Sequence, residues 1–193
     1  MMKRKVFLLS IPLLIALMLS ACNNEKDDII GDINPIRFTV LVTNSDGNDL
    51  LDSTRVDNIL KNVSISYNGE SYPVQHSMYD LFNDTRAVYA PFCGLWVERQ
   101  LWGPQTSSYK KCVLSIGYFD GEEDTDNREI KLDLGNEQVF SLSYSNKLMR
   151  RFDGELNISR DFYLNGKKLK GSDIKYGIFK FQRLPNGQFE YQQ

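Results

Sequence analysis

Histidine and cysteine, the residues most often used as catalytic bases, thiol nucleophiles and zinc ligands, are scarce in this chain, with one histidine and three cysteines. His76 is the only histidine, which excludes zinc sites built from several histidines. Cys93 is the one cysteine that could pair with it in a Cys-His hydrolase. The surrounding Pro91-Phe92-Cys93-Gly94 carries no signature of such enzymes, and His76 has the polar neighbours of a loop residue. Acid pairs such as Asp153 with Glu155 leave two interpretations, a hydrolase built on carboxylates and ordinary surface charge, which the sequence does not distinguish. We therefore expect a non-enzymatic protein without a cofactor.

A second candidate for chemistry is the acidic run 120–127, which places five carboxylates in eight residues. Clustered oxygen ligands suit Ca²⁺. The EF-hand template fails, because Thr125 stands where glycine is required and Lys131 stands where the bidentate glutamate belongs. Two interpretations remain, a calcium loop of another type and a solvated acidic connection between strands. We expect no metal.

Aromatic side chains gather around two tryptophans, Trp96 and Trp102, with Arg99 and Gln105 nearby. Flat aromatic surfaces beside polar groups can stack on sugar rings, so this stretch predicts a glycan-binding surface. The two tryptophans are six residues apart and would share a face of a continuous strand. The alternative is that both belong to the core.

The N-terminus has the features of a membrane-targeting signal. Lys3-Arg4-Lys5, the apolar run 6–19 and Leu19-Ser20-Ala21-Cys22 resemble a bacterial lipoprotein signal, and the apolar run is too short for a spanning helix. The resemblance implies that residues 1–21 are removed and that Cys22 becomes lipidated and anchors the protein in the outer membrane. The mature chain then has 20 basic and 25 acidic residues, a formal charge of about −5. With no basic patch, nucleic-acid binding is not expected.

With Cys22 reserved for lipid, Cys93 and Cys112 remain as an even pair in a compartment where disulfides persist. We predict a disulfide between them. Two buried thiols are the alternative, because strand register could place the side chains on opposite faces of a sheet.

Residues 22–34 are predicted to form a flexible tether, because they begin with the polar and mostly acidic run 23–28. Lys26-Asp27-Asp28 resembles the signal that Bacteroidetes-type bacteria use to export lipoproteins to the cell surface; the alternative is a linker facing the periplasm. Asp52-Ser53-Thr54 resembles the O-glycosylation motif of such bacteria, which makes Ser53 a candidate attachment site.

The rest of the chain, 35–193, is predicted to form one all-β domain, an antiparallel immunoglobulin-like sandwich with at most one short helix, near 52–61. Ile36 to Val42 alternates with period two, and Asn68-Gly69 between two alternating runs is a strong hairpin signal. Further strands are expected near 87–90, 95–100, 111–119, 129–134, 139–144, 155–164, 176–183 and 189–191. The predicted inward residues are Phe38, Val40, Ile65, Leu114, Ile116, Ile130, Leu132, Phe140, Leu142, Leu156, Ile158 and Phe179.

The segments 34–40, 46–52 and 65–72 together resemble the opening of small Bacteroidetes-type outer-membrane lipoproteins of unknown function. That resemblance covers about a quarter of the chain and implies an immunoglobulin-like or prealbumin-like sandwich, with no catalytic residues. The functional hypothesis is a lipid-anchored binding or adhesion module for a glycan or an envelope protein. The alternative is a structural or accessory subunit of an outer-membrane complex, which should show an apolar patch or an unpaired edge strand.

Overall fold

A computed structural model describes residues 33–75, 92–102, 109–150, 152, 156–171 and 176–192. These residues belong to one compact unit, Ile33–Gln193. The elements, in chain order, are β1 (Ile36–Asn44), a 3-10 turn (Leu60–Asn62), β2 (Ser64–Tyr67), β3 (Glu70–Gln75), β4 (Leu95–Trp102), β5 (Tyr109–Phe119), β6 (Thr125–Asp133), β7 (Val139–Arg150), β8 (Leu156–Leu164), β9 (Lys167–Lys168), β10 (Ile178–Arg183) and β11 (Phe189–Gln192).

The strands form one mixed sheet in the order β11-β10-β1-β5-β4-β3-β2-β6-β7-β8-β9. Most neighbours are antiparallel, but β1 pairs with β10 and β3 pairs with β4 in parallel. The all-β prediction is confirmed. A wholly antiparallel immunoglobulin-like sandwich is not: pairing partners far apart in sequence, such as β1 and β10, depend on packing, which local alternation does not specify.

The local sequence pattern explains where most of the strands form. The alternation in β1 buries Phe38, Val40 and Val42 on one face. The hairpin β2–β3 turns at Asn68 and Gly69, which have φ of 52° and 83°, as the Asn-Gly signal predicts. The strand expected at 87–90 lies outside the described residues.

The core fills the inside of the curled sheet, with Phe38 at its centre. Its fully buried ring lies 5.6–5.8 Å from four aromatic rings, which come from β5, β7, β8 and β10: Phe119, Tyr144, Phe162 and Phe179. Edge-to-face contacts of this kind add roughly 0.5–1.5 kcal/mol each to the effect of burial. The first strand therefore ties both halves of the sheet together.

Ten of the twelve predicted inward residues are buried, and two are not. Ile158 is 37% exposed and Leu156 is half-buried, because both lie where β8 runs past the end of the core. In the part of the chain that the structure describes, no helix is long and apolar enough to cross a membrane.

Candidate functional site

The folded unit has two ends, which we name after the first strand. The chain enters at Asn34, and β1 then runs nine residues, about 30 Å, to Asn44. We call the end near Asn34 the entry end. The opposite end carries the loop 45–59, whose Leu50 N–H donates to Val42 O at 3.0 Å, and we call it the far end.

A buried side chain, Asn146 on β7, organises the entry end. Its Nδ2 donates to the carbonyl oxygens of Gly121 at 3.0 Å and Glu123 at 2.8 Å, and its Oδ1 accepts from Arg160 Nε at 3.1 Å. Arg160 Nη2 in turn donates to Asn34 O at 2.7 Å, and burial lowers the pKa of this guanidinium. The point where the chain enters the domain is thus linked by hydrogen bonds to β7, β8 and the loop after β5.

Beyond Asn146 the hairpin β7–β8 projects past its neighbours. Pairing of β6 with β7 stops at Thr125 and Asn146, and β9 covers only the end of β8, at Tyr163 and Leu164. The two strands go on pairing with each other, from Lys147↔Ser159 to Arg150↔Leu156. We call residues 147–150, 152 and 156–159 the outer hairpin; four rungs extend it by about 13 Å.

Apolar side chains are exposed on the outer hairpin. Met149 is 52% exposed, Ile158 37%, and Phe152, between the two strands, is fully exposed. The other large apolar side chains exposed in the described part of the chain are Tyr176, Val56 and Val139. The entry end therefore carries a concentrated apolar projection.

The acidic run supports the base of this projection. Glu123 contacts Arg128 Nη2 at 2.9 Å, Asp126 contacts Lys147 Nζ at 2.9 Å, and Asp124 Oδ1 accepts from the N–H of Leu148 at 2.7 Å. These carboxylates point to separate partners on β6 and β7. Among the described residues, no group of three or more His, Cys, Asp or Glu side chains could hold a metal ion.

The predicted sugar-stacking surface does not form at Trp96. This tryptophan is 3% exposed, lies opposite Ser115 on β5, and packs against Tyr118 with ring centroids 5.6 Å apart. A ring at that depth cannot stack on a sugar. The backbone of Trp102 ends β4, while its side chain, like His76 and Cys22, lies outside what the structure describes.

No disulfide joins Cys93 and Cys112, which corrects the pairing predicted from the sequence. Both are buried thiols, and burial raises the pKa of each. Cys93 N donates to the carbonyl oxygen of Gly117 on β5 at 2.7 Å, whereas Cys112 lies five residues earlier on that strand, opposite Arg99. Five residues of strand separate the two positions by about 16 Å, far beyond the span of a disulfide.

A polar cluster on the same face as Trp96 joins three strands. Arg37 Nη1 on β1 contacts Glu98 Oε1 on β4 at 2.9 Å, and the same oxygen accepts from the Ser115 hydroxyl on β5. Ser115 is fully buried. The Arg37 and Glu98 side chains are 34% and 31% exposed, so the cluster links the three strands at the edge of the buried region.

The far end presents an ordered loop. Leu50, Leu51 and Ile59 are buried and hold its two sides, and Asp52 Oδ1 accepts from the N–H and the hydroxyl of Thr54 at 3.0 and 2.8 Å. These bonds lower the pKa of Asp52. The helical turn expected near 52–61 is reduced to the 3-10 turn at 60–62, because the aspartate turns satisfy the backbone instead.

Ser53 and Val56 lie on the outside of that loop. Ser53 is exposed, as an attachment site for a glycan would have to be, and Val56 is fully exposed beside the Arg55–Asp57 ion pair at 2.9 Å. The hydrogen bond from Arg55 lowers the pKa of the Asp57 carboxyl. The loop therefore displays one apolar side chain on a fixed scaffold.

Only one strand of the outer hairpin was predicted from the sequence: the strand expected at 155–164 agrees with β8, whereas the strand expected at 139–144 stops before the end of β7. The alternation in fact continues through Asn146 to Leu148, with a polar residue at one inward position. Asp153-Gly154 between Leu148 and Leu156 was an available turn signal.

We compared the chain with protein-family models, with curated proteins and with solved structures, and nothing matches in any of the three. The function must therefore be inferred from the geometry of the entry end and the far end.

Proposed function

We propose that this protein is a lipid-anchored, non-enzymatic binding module of the bacterial outer membrane that presents its ligand surface at the far end of the domain. The observation that carries the proposal is the length of β1 between the two ends, about 30 Å from the entry point to the loop 45–59. A lipid on Cys22 would attach the domain to the membrane through its entry end. The far end is then the end that is free to face a ligand away from the membrane.

The far-end loop has the properties of a recognition surface. Its backbone is fixed by the aspartate turns and by three buried aliphatic side chains, so little conformational entropy is lost when a partner binds. Its fully exposed Val56, next to the Arg55–Asp57 pair, offers an apolar contact with a charged rim. We propose a protein ligand, because Trp96 is buried and supplies no sugar platform.

The envelope address belongs to the same proposal. It rests on the lipoprotein signal at Cys22, on the Lys26-Asp27-Asp28 export signal and on the resemblance to Bacteroidetes-type lipoproteins. That resemblance also implies that the domain is related to immunoglobulin-like domains. Metabolic labelling with a palmitate analogue should mark the chain and fail for Cys22→Ala. Proteolysis of intact cells should remove the domain if it faces the medium and spare it if it faces the periplasm.

The binding test uses two variants that exchange an exposed apolar residue for a charge at opposite ends. Purified protein immobilised on a sensor is titrated with solubilised outer-membrane proteins and, separately, with a glycan panel. We expect saturable protein binding that Val56→Asp abolishes and Phe152→Asp preserves. Binding lost with Phe152→Asp and kept with Val56→Asp would move the ligand surface to the entry end, and saturable glycan binding alone would refute a protein ligand.

One observation favours the accessory-subunit alternative. The edge of β8 from Leu156 to Asp161 has no strand beside it among the described residues, and an open edge can accept a strand from another protein. Stable co-purification with one envelope complex, lost when Ile158 is replaced by proline, would support that role.

A further inference from the structure

The chain enters the domain at the same end as the outer hairpin. Arg160, on the hairpin, donates to the carbonyl oxygen of Asn34, the residue at which the chain enters. This link is short and is fixed by the fully buried Asn146. Wherever the tether holds Asn34, the hairpin base must be there too.

The tether is too short to keep this end far from the membrane. Asn34 lies twelve residues after Cys22. Any chain of twelve residues spans about 20 Å on average as a random coil and at most about 40 Å when fully extended. The four described rungs of the outer hairpin project about 13 Å from the level of Asn146. The hairpin can therefore reach the headgroup layer whenever Asn34 lies within about 13 Å of it, a distance shorter than the average span of the tether.

The hairpin tip has the chemistry of an interfacial contact. Phe152 is fully exposed, Met149 is 52% exposed and Ile158 37%. Leaving such side chains in water has a free-energy cost that the apolar edge of the headgroup layer would relieve.

The charged residues of the outer hairpin should neither promote nor prevent its contact with a membrane. Lys147 is paired with Asp126 at 2.9 Å. In the sequence, Arg150 and Arg151 are balanced by two acids, Asp153 and Glu155. With positive and negative groups in equal number, attraction to anionic lipids is weak, and the contact should be insensitive to salt.

We propose that the outer hairpin of β7–β8 is a membrane-contacting finger, in which Phe152 and its apolar neighbours enter the interface of the bilayer that holds the anchor. This inference rests on the proposed lipid anchor. It adds a second attachment point, and two points fix an orientation where a tether alone does not. The finger would hold the far-end loop away from the bilayer.

The test measures the depth of the hairpin tip in a membrane. The full lipidated chain is placed in phosphatidylcholine vesicles with or without brominated acyl chains, which quench tryptophan fluorescence on contact. Phe152→Trp reports on the hairpin, Val56→Trp is the matched control at the far end, and emission from Trp96 and Trp102 is subtracted using the unsubstituted protein. Both substituted positions are fully exposed, so folding should be unaffected.

We expect the added emission of Phe152→Trp to shift to the blue and to be quenched by the brominated lipid, equally at low and high salt. The added emission of Val56→Trp should stay unquenched. Equal absence of quenching at both positions would overturn the proposal, as would quenching at position 152 that high salt abolishes. A blue shift without vesicles that grows with protein concentration would show that the tip binds a second protein copy instead.

Flotation of the vesicles separates this inference from the proposed function. If the chain does not float with them, the lipid anchor itself is refuted. If it floats and the added emission of Phe152→Trp is unquenched, only the finger is refuted.

Discussion

Replacing Asn146 by alanine tests whether the hydrogen bonds at the entry end stabilise the fold. Asn146 is fully buried, and its amide makes two bonds to backbone carbonyls and accepts one from a guanidinium. A neutral hydrogen bond contributes about 1 kcal/mol and one to a charged group about 2 kcal/mol. Their sum predicts that Asn146→Ala lowers the free energy of unfolding by about 4 kcal/mol.

The assay is equilibrium unfolding in urea, followed by tryptophan fluorescence, with the midpoint and the slope fitted separately. Lys147→Ala is the matched control on the next residue of β7. It removes only the solvent-exposed pair with Asp126 and should leave the midpoint nearly unchanged. Adding Arg160→Ala to Asn146→Ala should cost less than the sum of the two single effects, because the two residues share a bond.

A stabilising role for Asn146 is refuted if Asn146→Ala shifts the midpoint no more than Lys147→Ala does, at an unchanged slope. That result would mean that water replaces the amide at little cost. The loop after β5 and the entry segment would then be held by other contacts.

Three further predictions follow from the packing and the pKa shifts. Gly177→Ala should lower the free energy of unfolding by about 2 kcal/mol or more, measured by urea unfolding, because φ is +59° and the added Cβ would lie 2.7 Å from the Phe162 ring. Burial raises the pKa of Tyr144 from 10.0 to about 12, so the folded state keeps its proton while the unfolded state loses it. The contribution of Tyr144 to the free energy of unfolding is fully present below pH 10 and is lost as the pH rises from 10 to 12. Tyr144→Phe should reduce that loss in unfolding curves measured at alkaline pH. Burial also raises the pKa of Cys93 and Cys112, so both thiols should react slowly with iodoacetamide at about pH 8 until the chain is unfolded, and an oxidant should leave the unfolding midpoint unchanged.

The local pattern of the sequence determined where most strands lie and which side of each strand is buried. Period-two alternation fixes both at once, since successive side chains on a strand point to opposite faces. This explains why Phe38, Ile65 and Phe179 were identified correctly as core residues. The turn at Asn68-Gly69 was equally predictable, because few other residue pairs adopt two consecutive positive φ angles readily.

The sequence also allowed interpretations that only the fold could separate. Trp96 could have been a surface platform, and Cys93 with Cys112 could have been a disulfide. Both questions depend on how residues 93–102 lie along β5. A backbone bond holds Cys93 beside Gly117, about 16 Å along β5 from Cys112, and Trp96 lies opposite Ser115 and is buried. Register is a property of two strands together, and neither strand carries it alone.

The all-β class and most of the core therefore follow from the amino-acid pattern alone, which also predicts attachment to a membrane. The tertiary structure decided the rest: the parallel pairing of β1 with β10, the fate of both cysteines, and the projection of Met149, Phe152 and Ile158 past the core. Ile158 follows the alternation of the core residues and is nevertheless exposed. At its position only β7 and β8 continue, and the strands that build the core, such as β6, do not reach that far. The alternation of apolar residues specifies which face of a strand is apolar. The packing of strands that are distant in sequence decides whether that face is buried.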